Sequence, residues 1–346
     1  MDLEPPLAFE VGSYAVLALV VVADLVLAYR RPGVPTTKSS ALWFGFYTGL
    51  ALAFAAVLFA LSGAEYAGQF VTGWATAFSL SIDNLFVFAI IMATLAVPRR
   101  QQHAVLLAGI VLALLVRGVV IVAGAVVIEQ FSAVFYLFGL FLIYTAVNQA
   151  IGSHHDEEEA EHRVIAFLRR RIATPGQFDG ARIRTVVDGR RVFTPVIIVI
   201  IAIGTTDIVF ALDSVPAVYG ITQSPFLVFT ANFFALIGLR QLYFLLRGLL
   251  DTLAYLKYGV AAVLAFIGVK LFFHALRSNE LPFVNGGENV SWAPEIGTYT
   301  SLAVIVAAML LAALLSLIAL RRESRRARTA STAPEPDTES KGPRHR

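Results

Sequence analysis

Five ionisable residues lie in stretches so apolar that each charge needs a reason. Asp83 sits in Phe78-Ser-Leu-Ser-Ile-Asp83-Asn84-Leu-Phe-Val-Phe88. Asp207 and Asp213 share Asp207-Ile-Val-Phe-Ala-Leu-Asp213-Ser214-Val-Pro216, and Arg117 and Arg240 each interrupt a further apolar run. At the centre of a membrane helix each costs about 2.5–3.5 kcal/mol to insert, so five together cost about 12–18 kcal/mol, comparable with the stability of an ordinary domain. Such charges pair, line a wet cavity, or do both. Pairing alone would hold helices in register, but three carboxylates against two guanidiniums leave one acid over. A buried ion pair is also a poor source of stability. A binding site or ion pathway is therefore the preferred reading.

The neighbouring residues extend it. Thr72, Thr76, Ser79 and Asp83 are spaced i, i+4, i+7, i+11 and form one polar stripe along a helix. Asp207 and Ser214 share a face, whereas Asp213 points about 120° away on an unbroken helix. Pro216 cannot donate to the carbonyl of Leu212, so a kink or break is expected there, freeing carbonyl oxygens and swinging Asp213 toward Asp207. Ser-Ile-Asp83-Asn84-Leu-Phe also parallels Ala-Leu-Asp213-Ser214-Val-Pro, and each is followed one helix later by an arginine, Arg117 or Arg240. That faint repeat makes two units of three helices, the second inverted by the odd helix count.

The donors at the expected midplane are carboxylates, hydroxyls, Asn84 and Asn232; His274, near a helix end, is the only histidine expected in the membrane. Hard oxygen ligands suit Mg²⁺, Ca²⁺ or Mn²⁺ better than zinc or copper. Proton exchange on a desolvated carboxylate is equally open chemistry, and the two arginines leave an anion possible. No nucleophile–base pair lies in the apolar runs, so an enzyme is not expected.

The elements that must position these residues follow from composition. The 346-residue chain is 58% hydrophobic and only 15% charged, against about 25% charged in soluble domains. Of its 51 acidic and basic residues, 15 fall between Gly152 and Thr194 and 12 between Arg321 and Arg346. The remainder divides into nine apolar runs near the length needed to cross a bilayer: Ala8–Tyr29, Ala41–Ser62, Phe70–Thr94, Ala104–Ile128, Phe131–Ile151, Pro195–Tyr219, Phe226–Leu245, Thr252–Leu276 and Ser301–Leu320. Lys and Arg gather in alternate connections, placing the N-terminus outside and the C-terminus in the cytoplasm of a multi-pass inner (plasma) membrane protein. The fold class is all-α, a polytopic transmembrane bundle of about nine helices.

The chain accordingly divides into two N-terminal spans (1–69), a first three-helix repeat (70–151), a cytoplasmic loop with a possible hairpin (152–194), a second repeat (195–276), an extracellular loop with a last span (277–320), and a basic tail expected to be disordered (321–346). Zero cysteines exclude disulfides, iron–sulfur clusters, thiolate zinc sites and cysteine nucleophiles. The net charge of +3 rests mostly on the tail, so the expected partners are the lipid bilayer and a small ion rather than nucleic acid. The acidic start is unlike a signal peptide. The cluster from His154 to His162 reads as a solvated loop rather than a metal sensor.

The segments Ser79–Phe88, Ile203–Ala217, Asn232–Phe244 and Phe266–Leu271 strongly resemble the TerC family of integral membrane proteins, from about the second helix to the end of the ninth. The family is named for tellurium resistance, and its better understood Alx-like members look like manganese exporters grouped with LysE-like transporters of inverted three-helix repeats. The resemblance implies metal efflux, with Mn²⁺ as the transported ion and no permanently bound cofactor. It places Asp83, Asn84, Asp207, Asp213 and Ser214 at the cation, with Thr76, Ser79 and Asn232 along the pathway and Arg117 and Arg240 as counter-charges. Many members carry a Glu six residues before the first motif's Asp; here that position is Ala77, and Glu65 could partly substitute. The alternative expectation is a non-transporting membrane component of a tellurite-resistance or envelope-stress complex. The oligomeric state is left open.

Overall fold

Apolar runs of twenty or more residues satisfy their backbone internally only as helices, and eight helices among the described residues of the computed structural model are long and apolar enough to cross a membrane. The structure describes residues 5–30, 36–131, 133–151, 166–168, 170, 178–180, 182–187, 190–246, 255–279, 281–282 and 284–331. Within these, the side chains of 28, 29, 83, 86, 246 and 320–331 lie outside the description. The Asp83 side chain, the His154–His162 cluster and the tail from 332 therefore fall outside it. The helices are α1 (Leu7–Arg30), α2 (Thr37–Thr94), α3 (Arg99–Gln130), α4 (Val134–Ile151), α5 (Val196–Tyr219), α6 (Pro225–Leu246), α7 (Leu256–Arg277) and α8 (Thr298–Ser331).

Helix α2 contains two of the nine expected spans. Its 58 residues would reach about 87 Å if straight, nearly three times the hydrocarbon core. Gly63 instead adopts φ 87°, ψ −178°, a conformation open to glycine and strained for other residues. The chain doubles back there: the Phe44 and Phe78 rings lie 5.9 Å apart and those of Phe54 and Phe70 4.9 Å apart. A straight helix would separate the first pair by about 51 Å. The expected connection between spans two and three is thus one residue, and 64–69 is already helical.

Two other expectations are corrected. Helix α5 runs unbroken from Val196 to Tyr219 with Pro216 inside it. A proline one turn from a helix end removes a single interior hydrogen bond, and the helix stops three residues later with Gly220 donating to Pro216. Asp213 therefore is not swung toward Asp207. The tail is not disordered from Arg321, because α8 continues through the arginine run to Ser331; arginine, alanine and glutamate are good helix formers.

The helices pack reciprocally. The most extensive pairings are α2 with α6, α4 with α7 and α3 with α5. Helices α3 and α5 are parallel: a Cβ on Gly109 would meet Ile203, one on Gly204 would meet Leu112, and Tyr219 donates to the Ile121 carbonyl at 2.7 Å. The second half of α2 and α6 are parallel too, with Gly73 against Ala231 and Gly238 against Phe78. Exchanging the unit α2(second half)–α3–α4 with α5–α6–α7 turns one pairing into the other. Helices α4 and α7 sit where that exchange maps the pair onto itself. A Cβ on Gly139 would lie 2.9 Å from the Gly268 carbonyl and against Phe272, and one on Gly268 would lie 2.9 Å from the Gly139 carbonyl and against Ile143. Both pairs of contacts step by four residues. The second unit runs opposite to the first, as the faint sequence repeat suggested.

Buried side chains of α2, α3, α5 and α6 form the main core, and a second cluster fills the space between α4 and α7. Exposed Leu115, Val119 and Val122 on α3 and Leu310, Leu311 and Leu314 on α8 present apolar surface outward, as lipid contact requires. At the bundle end opposite Gly63, strands β1 (Arg184–Val187) and β2 (Arg190–Phe193) form an antiparallel hairpin leading into α5. The strands match the expected hairpin; its Asp188-Gly189 turn lies outside the described residues.

Candidate functional site

The first buried charge centre is built by three helices. Arg117, near the middle of α3, is only 1% exposed, and Asp207 on α5 is fully buried. The guanidinium grips the carboxylate with two nitrogens, Nη2 to Oδ1 at 2.7 Å and Nε to Oδ2 at 3.3 Å. Its remaining nitrogen, Nη1, donates to Asn232 Oδ1 on α6 at 2.9 Å, while the Asn232 amide donates to the Val228 carbonyl at 2.8 Å. Every nitrogen of Arg117 is thus used. Fork-to-fork pairing of this kind is the strong form of the contact, and it offsets much of what burying two charges costs.

The second centre surrounds Arg240 on α6, which is 2% exposed. Its partner is Asp24 of α1, with Nη2 2.9 Å from Oδ2. Tyr47, in the first half of α2, accepts from the same Nη2 at 3.4 Å. The Gln241 amide, oriented to match donors with acceptors, accepts from Nη2 at 2.8 Å and from Nε at 3.3 Å. Arg240 Nη1 and Asp24 Oδ2 have no hydrogen-bond partner among the described residues. The ion-pair distance is short, but the alignment for a hydrogen bond is missing.

The other expected site residues divide. Asn84 and Ser214 are buried, and Asp213 is half-buried on a different face of α5 from Asp207. Two hydroxyls of the stripe donate to the backbone of their own helix, Thr76 to Thr72 at 2.8 Å and Ser79 to Ala75 at 2.7 Å. Ser214 does the same, to Phe210 at 2.7 Å. Back-bonding of this kind satisfies the donor and leaves oxygen lone pairs facing outward from the helix. Among the described residues no group of three His, Cys, Asp or Glu side chains is placed to hold a metal. The structure thus brings Arg117, Asp207 and Asn232 together and places Arg240 with Asp24.

Above the stripe lies a cavity of about 1260 Å³. Glu65, Gln69, Glu129, Lys270, His274 and Thr298 are among its lining residues. Glu65 accepts from Thr298 Oγ1 at 2.8 Å and from Gln69 Nε2 at 3.3 Å, and Thr72 Oγ1 reaches the Thr298 carbonyl at 3.5 Å. Glu65 and Gln69 continue the stripe spacing back by two turns, so one helical face runs from the cavity wall to position 83. The sequence singles out Glu65; extending the pattern would also have found Gln69. Asp24 was missed because it lies under two turns from Arg30, where an acid reads as close to the membrane surface.

A family model described as "Integral membrane protein TerC family" matches residues 62–324. An uncharacterized membrane protein of Mycobacterium tuberculosis (strain H37Rv) is 42% identical over 298 residues, covering 85% of this chain and 75% of the relative. An uncharacterized membrane protein of Myxococcus xanthus is 38% identical, covering 75% of this chain and 82% of the relative. A protein of Escherichia coli (strain K12) named "Putative membrane-bound redox modulator Alx" is 34% identical, covering 76% and 86%. No solved structure matches the chain.

Proposed function

The chain belongs to the TerC family of integral membrane proteins, and from that premise we propose that it exports divalent cations, Mn²⁺ foremost, across the inner membrane. The observation that carries this reading is the continuous polar face from the Glu65 cavity wall, through Gln69, Thr72, Thr76 and Ser79, to Asp83. Hydroxyls whose protons are committed to the backbone offer only lone pairs to a passing ion, which is what a hard cation needs. Asp83 and Asp213 are the ligands at the inner end of that path, with Asn84 and Ser214 as auxiliary oxygens. Asp207 is clasped by Arg117 through two nitrogens. A divalent ion and the guanidinium then compete for one carboxylate, so Arg117 refills the site when the ion leaves. The two inverted units provide the halves that rock about such a site in alternating access.

In this reading the cavity opens outward. Glu10, Glu65, Glu129 and Glu295 outnumber Lys270 and Arg277 around its end of the bundle, whereas Arg99, Arg100 and the arginines of the hairpin lie at the other, the distribution of a cytoplasmic face. The redox wording in a relative's name does not transfer as thiol chemistry, because this chain has no cysteine. The test is retention of manganese in loaded cells. Asp83→Ala and Asp213→Ala cells are expected to hold more of it than wild-type cells; equal retention with equal protein in the membrane refutes export.

A further inference from the structure

The two arginine centres are related by the reciprocity of the fold, yet only one draws its acid from the repeats. Asp207 stands six residues before Asp213, and the position six before Asp83 is Ala77. Ala77 is fully buried in the half of α2 that packs parallel to α6, where its neighbour Phe78 meets Gly238, two residues from Arg240. Arg117 and Arg240 occupy comparable depths, 18 and 15 residues from the starts of helices α3 and α6. The exchange that carries Asp207 onto Ala77 therefore carries the Arg117 clasp onto an arginine whose in-repeat acid is absent.

We infer that Asp24 of α1 stands in for that missing acid, which makes α1, a helix outside both repeats, the holder of the counter-charge for Arg240. Both Asp24 and Tyr47 lie outside the stretch 62–324 that the family shares, whereas Arg240 lies inside it. The substitute fits less well than the original. Arg117 has all three nitrogens bonded, while Arg240 Nη1 and Asp24 Oδ2 are buried without hydrogen-bond partners among the described residues. Buried polar atoms left unsatisfied are rare and costly. A pair serving only to anchor α1 gains nothing from that arrangement over apolar packing. A guanidinium whose counter-charge sits on a helix outside the repeats can instead be released from it when the repeats move. Asp24 is in this sense a positioning residue acting through Arg240, and the inference rests on the transport reading.

The experiment uses the full chain purified and reconstituted with an Mn²⁺-sensitive dye, alongside thermal unfolding in detergent. Asp24→Asn is expected to slow Mn²⁺ flux about tenfold or more and to lower the unfolding midpoint, because a buried guanidinium loses its counter-charge. Adding Ala77→Asp, the mirror of Asp207, is expected to restore about half of the flux or more and to raise the midpoint again. The double variant Asp24→Asn/Arg240→Gln removes both charges without burying a new one. It is expected to unfold near the wild-type temperature and still to transport poorly. Wild-type flux in that double variant reduces the pair to an anchor and overturns the inference, as does failure of Ala77→Asp to recover both flux and midpoint. If the wild-type protein itself moves no Mn²⁺, the transport reading fails, and the midpoint alone decides the equivalence of positions 24 and 77.

Discussion

Two arginines buried to the same degree are held in quite different ways. Arg117 is clasped by Asp207 through two nitrogens and by Asn232 through the third, all from helices of the repeated units. Arg240 rests at 2.9 Å from Asp24 on a helix outside them, with a 3.4 Å contact to Tyr47, the Gln241 amide accepting from Nη2 and Nε, and Nη1 without a partner among the described residues. The difference separates burial from satisfaction. The first centre is closed, with every guanidinium nitrogen bonded within the repeated units, and the second is open, with its counter-charge supplied from elsewhere in the chain.

The largest expected effect tests the closed centre. Arg117→Gln leaves Asp207 charged and unpaired in the core and should cost about 3–5 kcal/mol, whereas Arg117→Gln with Asp207→Asn should cost much less. Denaturation of the purified protein in detergent measures both, and equal losses would mean the clasp is weaker than its geometry. The next effect tests the reciprocity behind the comparison. Gly139→Ala and Gly268→Ala each drive a methyl to 2.9 Å from the other helix's carbonyl, and backbone at a helix crossing cannot step aside as a side chain can. Each should cost about 1–3 kcal/mol. The two losses should be similar; one neutral and one severe would break the symmetry argument.

The third change thins the closed centre without removing a charge. Asn232→Ala takes away the acceptor of Arg117 Nη1 and should cost about 1–3 kcal/mol, the price of an unsatisfied buried donor. The smallest effect belongs to the looser centre: Tyr47→Phe removes the 3.4 Å contact with Arg240 and the phenol's hydrogen bond to Asp24 and should cost about 1 kcal/mol. An Asn232→Ala loss no larger than that of Tyr47→Phe would erase the contrast between the two arginines.

Much of this arrangement is legible in the residues. The apolar helices, with α2 folded back at Gly63, follow from the apolar runs, because hydropathy acts locally. The stripe from Thr72 to Asp83 is a matter of spacing on one helix, and the inverted units surface in the paired Asp-Asn and Asp-Ser steps. What escapes depends on how far a local rule reaches. Pro216 promised a break, but so near the helix end it removes one bond and little else. The arginine run after Leu320 looked disordered by composition, yet its Arg and Ala residues carry α8 on to Ser331. Asp24 went unnoticed because only the packing of α1 beside α6 shows that its neighbour is Arg240. Which acid serves which arginine is a long-range fact, and counting charges could not assign it.

Under the proposed function, the face from Glu65 to Asp83 conducts a divalent cation to acids at the bundle's midplane. The most direct test is Mn²⁺ flux into dye-loaded proteoliposomes containing the wild-type protein or its Asp83→Ala and Asp213→Ala variants, matched for the amount reconstituted. The account predicts flux in the wild type well above empty liposomes and at least about tenfold above either variant. Wild-type flux equal to that of empty liposomes, or variants that transport as fast as the wild type, would contradict it.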